Sequence, residues 1–111
     1  EVKVPEKVWP LRIWYMYDQD VCTLIDVNER ERKVKIKNYT DKIMFRAFGV
    51  MEEPDYNQYI EFLESRCFPE SRDKMKLILK DLGLPFYDPI MIIEKTEGRM
   101  AEDDFWIRIE R

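Results

Sequence analysis

VCTLIDVNERERKVKIKNY, residues 21–39, is the stretch that sets the fold class. Val21, Thr23, Ile25 and Val27 alternate with other residues on the first run. Val34 and Ile36 alternate with Lys33, Lys35 and Lys37 on the second. A period of two means a strand with distinct faces. Asn28-Glu29-Arg30-Glu31 between the runs is short enough for a hairpin, which makes the pair antiparallel. The lysines then line a wet face or guard an edge against further strand addition.

Working outward, VWPLRIWYMY places Leu11, Ile13 and Tyr15 on one side and Arg12, Trp14 and Met16 on the other. Both sides carry large residues, so this strand is either covered twice or presents an aromatic patch. Pro10 cannot donate to a ladder and belongs at the strand's start or on an edge. YDQD reads as a turn, and residues 1–7 as a lead-in limited by Pro5.

Beyond residue 40 the grammar becomes helical. Thr40 or Asp41 is placed to cap a short turn through Ile43, Met44 and Phe45, closed near Gly49. Asp55 with Gln58 has capping-box spacing, ahead of Tyr56, Tyr59, Ile60, Leu63 and Cys67 at helical intervals, with Pro69 as the stop. Ser71 is the expected cap of a second helix with Met75, Ile78, Leu79 and Leu82 on one stripe, ended by Gly83. Asp88-Pro89 opens a third, running toward Gly98. Phe105, Ile107 and Ile109 alternate in a closing strand. The expectation is a single α+β domain with a three- or four-stranded, mainly antiparallel sheet and three or four helices on one face. Its β-rich part spans 8–39, its helical part 41–97 and its terminal strand 104–110.

The chain has 111 residues, enough for one domain with one core. Its formal charge of −4 lowers the expectation of nucleic-acid or anionic-membrane binding, though a local basic patch remains open. It has no histidine, which removes the usual neutral-pH proton shuttle and the commonest metal ligand. Cys22 and Cys67 are too far apart in sequence for a CxxC motif and read as reduced core residues of a cytoplasmic protein. No Gly-rich phosphate loop is present and no apolar run is long enough to span a membrane. No cofactor or metal is expected.

Three sets of residues remain as functional candidates. Glu102, Asp103 and Asp104 could serve a small carboxylate enzyme, but neighbouring side chains diverge, and a turn that aims the Phe105 strand explains them more simply. Arg99 and Arg108 are the bases considered for pairing with those acids. Arg32, Lys33, Lys35 and Lys37 could form a nucleic-acid-binding or mimicking surface, with Trp9, Trp14 and Tyr39 as stacking groups. Arg66 and Arg72, flanking Pro69, could clamp an anion, though lying over Phe68 or against a nearby acid explains them more simply. The supply of large rings exceeds one small inward face, which favours a non-catalytic protein-interaction module anchored by Trp9, Trp14 and Trp106 with Arg66 and Arg72.

FLESRCFP at Phe62–Pro69, LGLPFYDP at Leu82–Pro89, KTEGR at Lys95–Arg99 and DDFWIR at Asp103–Arg108 form a pattern. It resembles short bacterial proteins and the region that precedes HipA-like kinase domains of Gram-positive bacteria. The resemblance covers half to two-thirds of the chain. It implies an accessory module beside a kinase-like or toxin–antitoxin-like partner and assigns no functional residues.

Overall fold

The computed structural model describes residues 3–68 and 70–111. Strands β1 (Leu11–Tyr17), β2 (Asp20–Asn28), β3 (Lys33–Asn38) and β4 (Phe105–Glu110) form one antiparallel sheet in the order β3-β2-β1-β4. The 21–39 hairpin is present as expected, with Ile25 opposite Ile36 and Val27 opposite Val34. Helices α1 (Tyr56–Ser65), α2 (Met75–Leu82) and α3 (Pro89–Thr96) lie between β3 and β4, after a 3-10 turn at Ile43–Phe45. The chain is therefore α+β.

One face of the sheet meets α1 and α3. Leu11, Ile13, Tyr15, Ile25, Val27 and Ile107 pack with Tyr59, Phe62, Leu63, Ile90 and Ile93 in a single core. Burying an aliphatic or aromatic side chain of this kind stabilises by about 1.5–3 kcal/mol. Helix α2 sits outside that cluster and buries only Leu79.

Local chemistry explains the boundaries of α1 and α3. The Asp55 carboxylate accepts from the Gln58 amide while the Gln58 side chain accepts from the Asp55 amide, both at 2.8 Å. Asp88 accepts from the Ile90 amide at 3.1 Å, and Pro89 occupies a position where no amide proton is needed. Two expectations fail. Ser71 does not cap α2: that helix begins four residues later, behind Lys74 in a left-handed conformation with no side-chain cap. Neither Thr40 nor Asp41 caps the 3-10 turn, which follows Lys42, although the Thr40 hydroxyl accepts from the Lys42 amide. Helix α1 ends at Ser65, ahead of Pro69, which lies outside the described residues.

A bulge corrects the reading of β2. Tyr15 faces Thr23 but Met16 faces Val21, leaving Cys22 without a partner. Cys22 joins the core, and Val21 drops out of the inward alternation of Thr23, Ile25 and Val27.

The sheet's other face is built differently. One cross-strand row reads Lys35, Asp26, Arg12, Glu110, which alternates in charge. At its centre Arg12 holds Asp26 through two bonds of 2.7 and 3.1 Å, both side chains nearly out of water. The next row reads Lys37, Leu24, Trp14, Arg108. Leu24 is buried there, and the lead-in runs beside this face: Tyr39 donates to the Lys3 carbonyl, and Lys35 lies over the Trp9 ring.

Gly98, just past α3, is the one glycine that both backbone and packing demand. It has φ +61°, and a Cβ there would sit 3.0 Å from Ile107 Cδ1 in β4. Gly83 also has positive φ, but open space surrounds it. Gly98→Ala should lower stability by about 2–4 kcal/mol, through backbone strain plus overpacking, and Gly83→Ala by about 1–2 kcal/mol through strain alone. Urea unfolding of the two variants checks this; equal losses would remove the packing role given to Gly98.

Candidate interaction surfaces

The terminal acids are drawn into the architecture by Arg66. That side chain leaves the end of α1 and is 7% exposed. Its Nη1 and Nη2 donate to the two Asp103 oxygens at 3.0 and 3.1 Å, Nη2 also donates to the Phe105 carbonyl at 3.0 Å, and Nε donates to the Gly98 carbonyl at 3.0 Å. The Tyr15 and Phe105 rings, stacked 4.9 Å apart, lie within 5.8 and 6.0 Å of the guanidinium. Asp103 also accepts from the Phe105 amide, so it fixes the entry to β4 in the way its sequence position suggested. Its base is Arg66; Arg99 pairs with Glu97 and Arg108 approaches Glu110.

Because its donors point inward, Arg66 is not arranged as half of an anion clamp. Arg72 is exposed, with its guanidinium 6.0 Å from the Phe68 ring. The two line a cleft of about 280 Å³ together with Thr96 and Arg99. Glu102 and Asp104 remain exposed; Asp18, Asp103 and Asp104 border a cleft of about 430 Å³. Among the described residues no three His, Cys, Asp or Glu side chains converge as a metal site.

All three tryptophans lie outside the main core, and each is paired with a cation. Lys35 is 4.4 Å from the Trp9 ring centre, Arg108 is 4.6 Å from Trp14 and Arg99 is 5.0 Å from Trp106. The Trp14 indole donates to Glu110 and that of Trp106 to the Asp18 carbonyl. Trp14 and Trp106 share the sheet face opposite the helices, by their register with Arg108 and Met16. The basic set divides: Lys33, Lys35 and Lys37 are exposed on β3, whereas Arg32 turns toward α1, 4.7 Å over the Tyr56 ring.

Both cysteines are free thiols. Burial pushes Cys67 up to about 12 and raises Cys22 as well, so both stay protonated and unreactive at neutral pH.

One surface escaped the reading of the sequence. Between β3 and α1, Phe45, Ala47 and Phe48 pack against the core while their neighbours turn outward. Met44 is 91% exposed and Val50 75%, with Ile43 and Met51 also open. The segment is held by the Thr23 hydroxyl, which accepts from the Ala47 amide at 3.1 Å, and by turns from Arg46 to Ile43 and from Met51 to Phe48. Ile43 lies 3.7 Å from the Cβ position of Gly49, which brings the two ends of this turn together. The consecutive apolar residues marked it as foldable but could not say which of them would remain outside. A larger cleft of about 710 Å³ adjoins it, between the lead-in and Thr40, Lys42 and Phe45.

The Arg66 hydrogen bonds hold the Asp103 carboxyl below its ordinary value of 3.8, against the opposing effect of partial burial. A carboxylate whose folded value is depressed contributes stability above its unfolded value and loses it as pH falls through the folded one. Asp103→Asn should therefore cost about 1–2 kcal/mol at neutral pH, allowing for the one-third exposure of that side chain. The deficit should begin to shrink below about pH 4, where the unfolded carboxyl takes up its proton, and vanish once pH has fallen through the depressed folded value. Urea unfolding at several pH values checks this, and a deficit constant down to about pH 2 would contradict it.

No protein-family model, no curated protein and no solved structure matches this chain.

Proposed function

We propose that the chain is a non-catalytic docking module for another protein, with the apolar segment 43–51 as its principal contact. The observation behind this reading is the exposure of Met44 and Val50 on a segment already fixed by its own inward aromatics. Several large apolar groups left in water on one short segment of a small fold mark a contact surface. A surface already ordered before binding loses little entropy when it binds, and unbranched methionine adapts to the shape opposite it. The tryptophans are weaker anchors than the sequence implied, since each is paired with a cation and two have satisfied indole protons.

The resemblance to the region preceding HipA-like kinase domains supplies the class of partner: a kinase-like protein that this module accompanies within the cell. No residue here is assigned to phosphoryl transfer. Among the described residues, no helix is long and apolar enough to cross a membrane.

Burying Met44 and Val50 in a partner is worth about 1.5–3 kcal/mol each, so Met44→Glu with Val50→Glu should weaken the complex at least about 100-fold. The same surface changes should move the melting temperature by no more than about 3 °C. Affinity capture from native lysate with quantitative mass spectrometry, wild type against the double variant, provides the test. A kinase-like protein retained by the first and lost from the second is the expected result. Equal retention by both would overturn the assignment of segment 43–51.

A further inference from the structure

The sheet face away from the helices holds positive charge in an unusual way. Among the described residues, Lys35 and Lys37 belong to no ion pair; they lie over rings instead, Lys35 at 4.4 Å from Trp9 and Lys37 at 5.3 Å from Tyr39. Arg108 lies 4.6 Å over Trp14, and its nearest carboxylate oxygen, on Glu110, is 3.8 Å away and already accepts the Trp14 indole proton. An ion pair cancels charge; a cation on a ring keeps it. The one buried acid of this face, Asp26, is consumed by Arg12. A chain of net charge −4 thus places two unpaired lysines, one loosely paired arginine and their rings on one side of its sheet.

From this juxtaposition we infer that the outer face of the sheet, along its open margins at Lys35 and Lys37 on β3 and at Trp14 and Arg108 on β1 and β4, with buried Leu24 between them, binds single-stranded nucleic acid. Residues two apart on β3 repeat at roughly 6.6–6.8 Å, so Lys35 and Lys37 follow an extended sugar–phosphate chain along the strand. Bases stack on guanidinium planes as they do on aromatic rings, and Arg108 over Trp14 presents such a plane between β1 and β4. An acidic peptide matches the charge but leaves those flat surfaces without a complement, so the nucleic acid is the better fit. This binding is independent of segment 43–51, which packs against the core from the other side of the sheet.

Intrinsic tryptophan fluorescence, titrated with a short oligothymidylate, tests the inference on the whole chain. Saturable quenching is expected at low salt, with Kd in the range of about 1–100 μM. Two or three phosphate contacts should give a slope of about −1.5 to −2 in log affinity against log salt. Lys35→Glu with Lys37→Glu, both exposed positions, should weaken binding at least tenfold, while the acid set opposite Asp26 lowers the melting temperature by only a few degrees. Should that variant fail to fold, Arg108→Gln provides the same comparison with a smaller, severalfold loss. Absence of saturable quenching, full affinity in the folded variants, or equal binding of a polyglutamate peptide of matched length would each overturn it.

Discussion

A single guanidinium ties the end of α1 to the end of α3 and to the start of β4. Arg66 closes α1, reaches the Gly98 carbonyl where α3 ends, and takes both the Asp103 carboxylate and the Phe105 carbonyl where β4 begins. A planar fork with fixed donors suits four bonds in one neighbourhood; a lysine ammonium, with three donors about one point, cannot reproduce them. The Ile107 amide donates to the Glu97 carbonyl, so the exit of α3 is bonded directly to β4 as well. This knot sets where β4 enters the sheet beside β1, and with it the position of Trp106 and Arg108 on the outer face. It also answers for the run of acids before Phe105, of which Asp103 is the structural one.

The sheet then separates two surfaces of different chemistry. On the helical side, segment 43–51 packs its phenylalanines inward and leaves Met44 and Val50 outside. The proposed contact with a protein partner lies there because apolar area, already ordered, is what such a contact needs. On the far side, lysine and arginine cover tryptophan and tyrosine, and the charge they retain suits a polyanion. The two proposals draw on different residues and respond to different perturbations: loss of apolar area for one, salt and charge reversal for the other.

The hairpin, the closing strand and the Asp55 and Asp88 helix starts were legible because each rests on neighbours in sequence: a period of two, or a cap and the amide it serves. Ser71 failed as a cap because its sequence context fits equally well in a loop, and α2, outside the core cluster, receives little tertiary support to fix its start. The Cys22 bulge left no mark in the alternation, since an apolar residue sits comfortably on either count. Of the many rings, Tyr15, Tyr17, Tyr56 and Tyr59 pack in or against the core while the tryptophans stay outside it, over cations from β3, β4 and the turn after α3 that no local pattern in the sequence pairs with them. An acid for Arg66 is an expectation of the sequence, but which acid is not, because Asp103 lies 37 residues away and only the fold brings them together. Segment 43–51 showed the composition of core; which side of it would be left in water depends on Thr23 and the aromatic cluster it meets.

The most direct test of the Arg66 knot is amide hydrogen exchange, residue by residue, in Arg66→Lys. Charge and stem are preserved and only the fork is lost. Protection should fall first at Phe105–Ile107 and around Gly98, while the β2–β3 hairpin keeps its wild-type rates. Unchanged protection at the start of β4, or an equal loss throughout the sheet, would contradict the account.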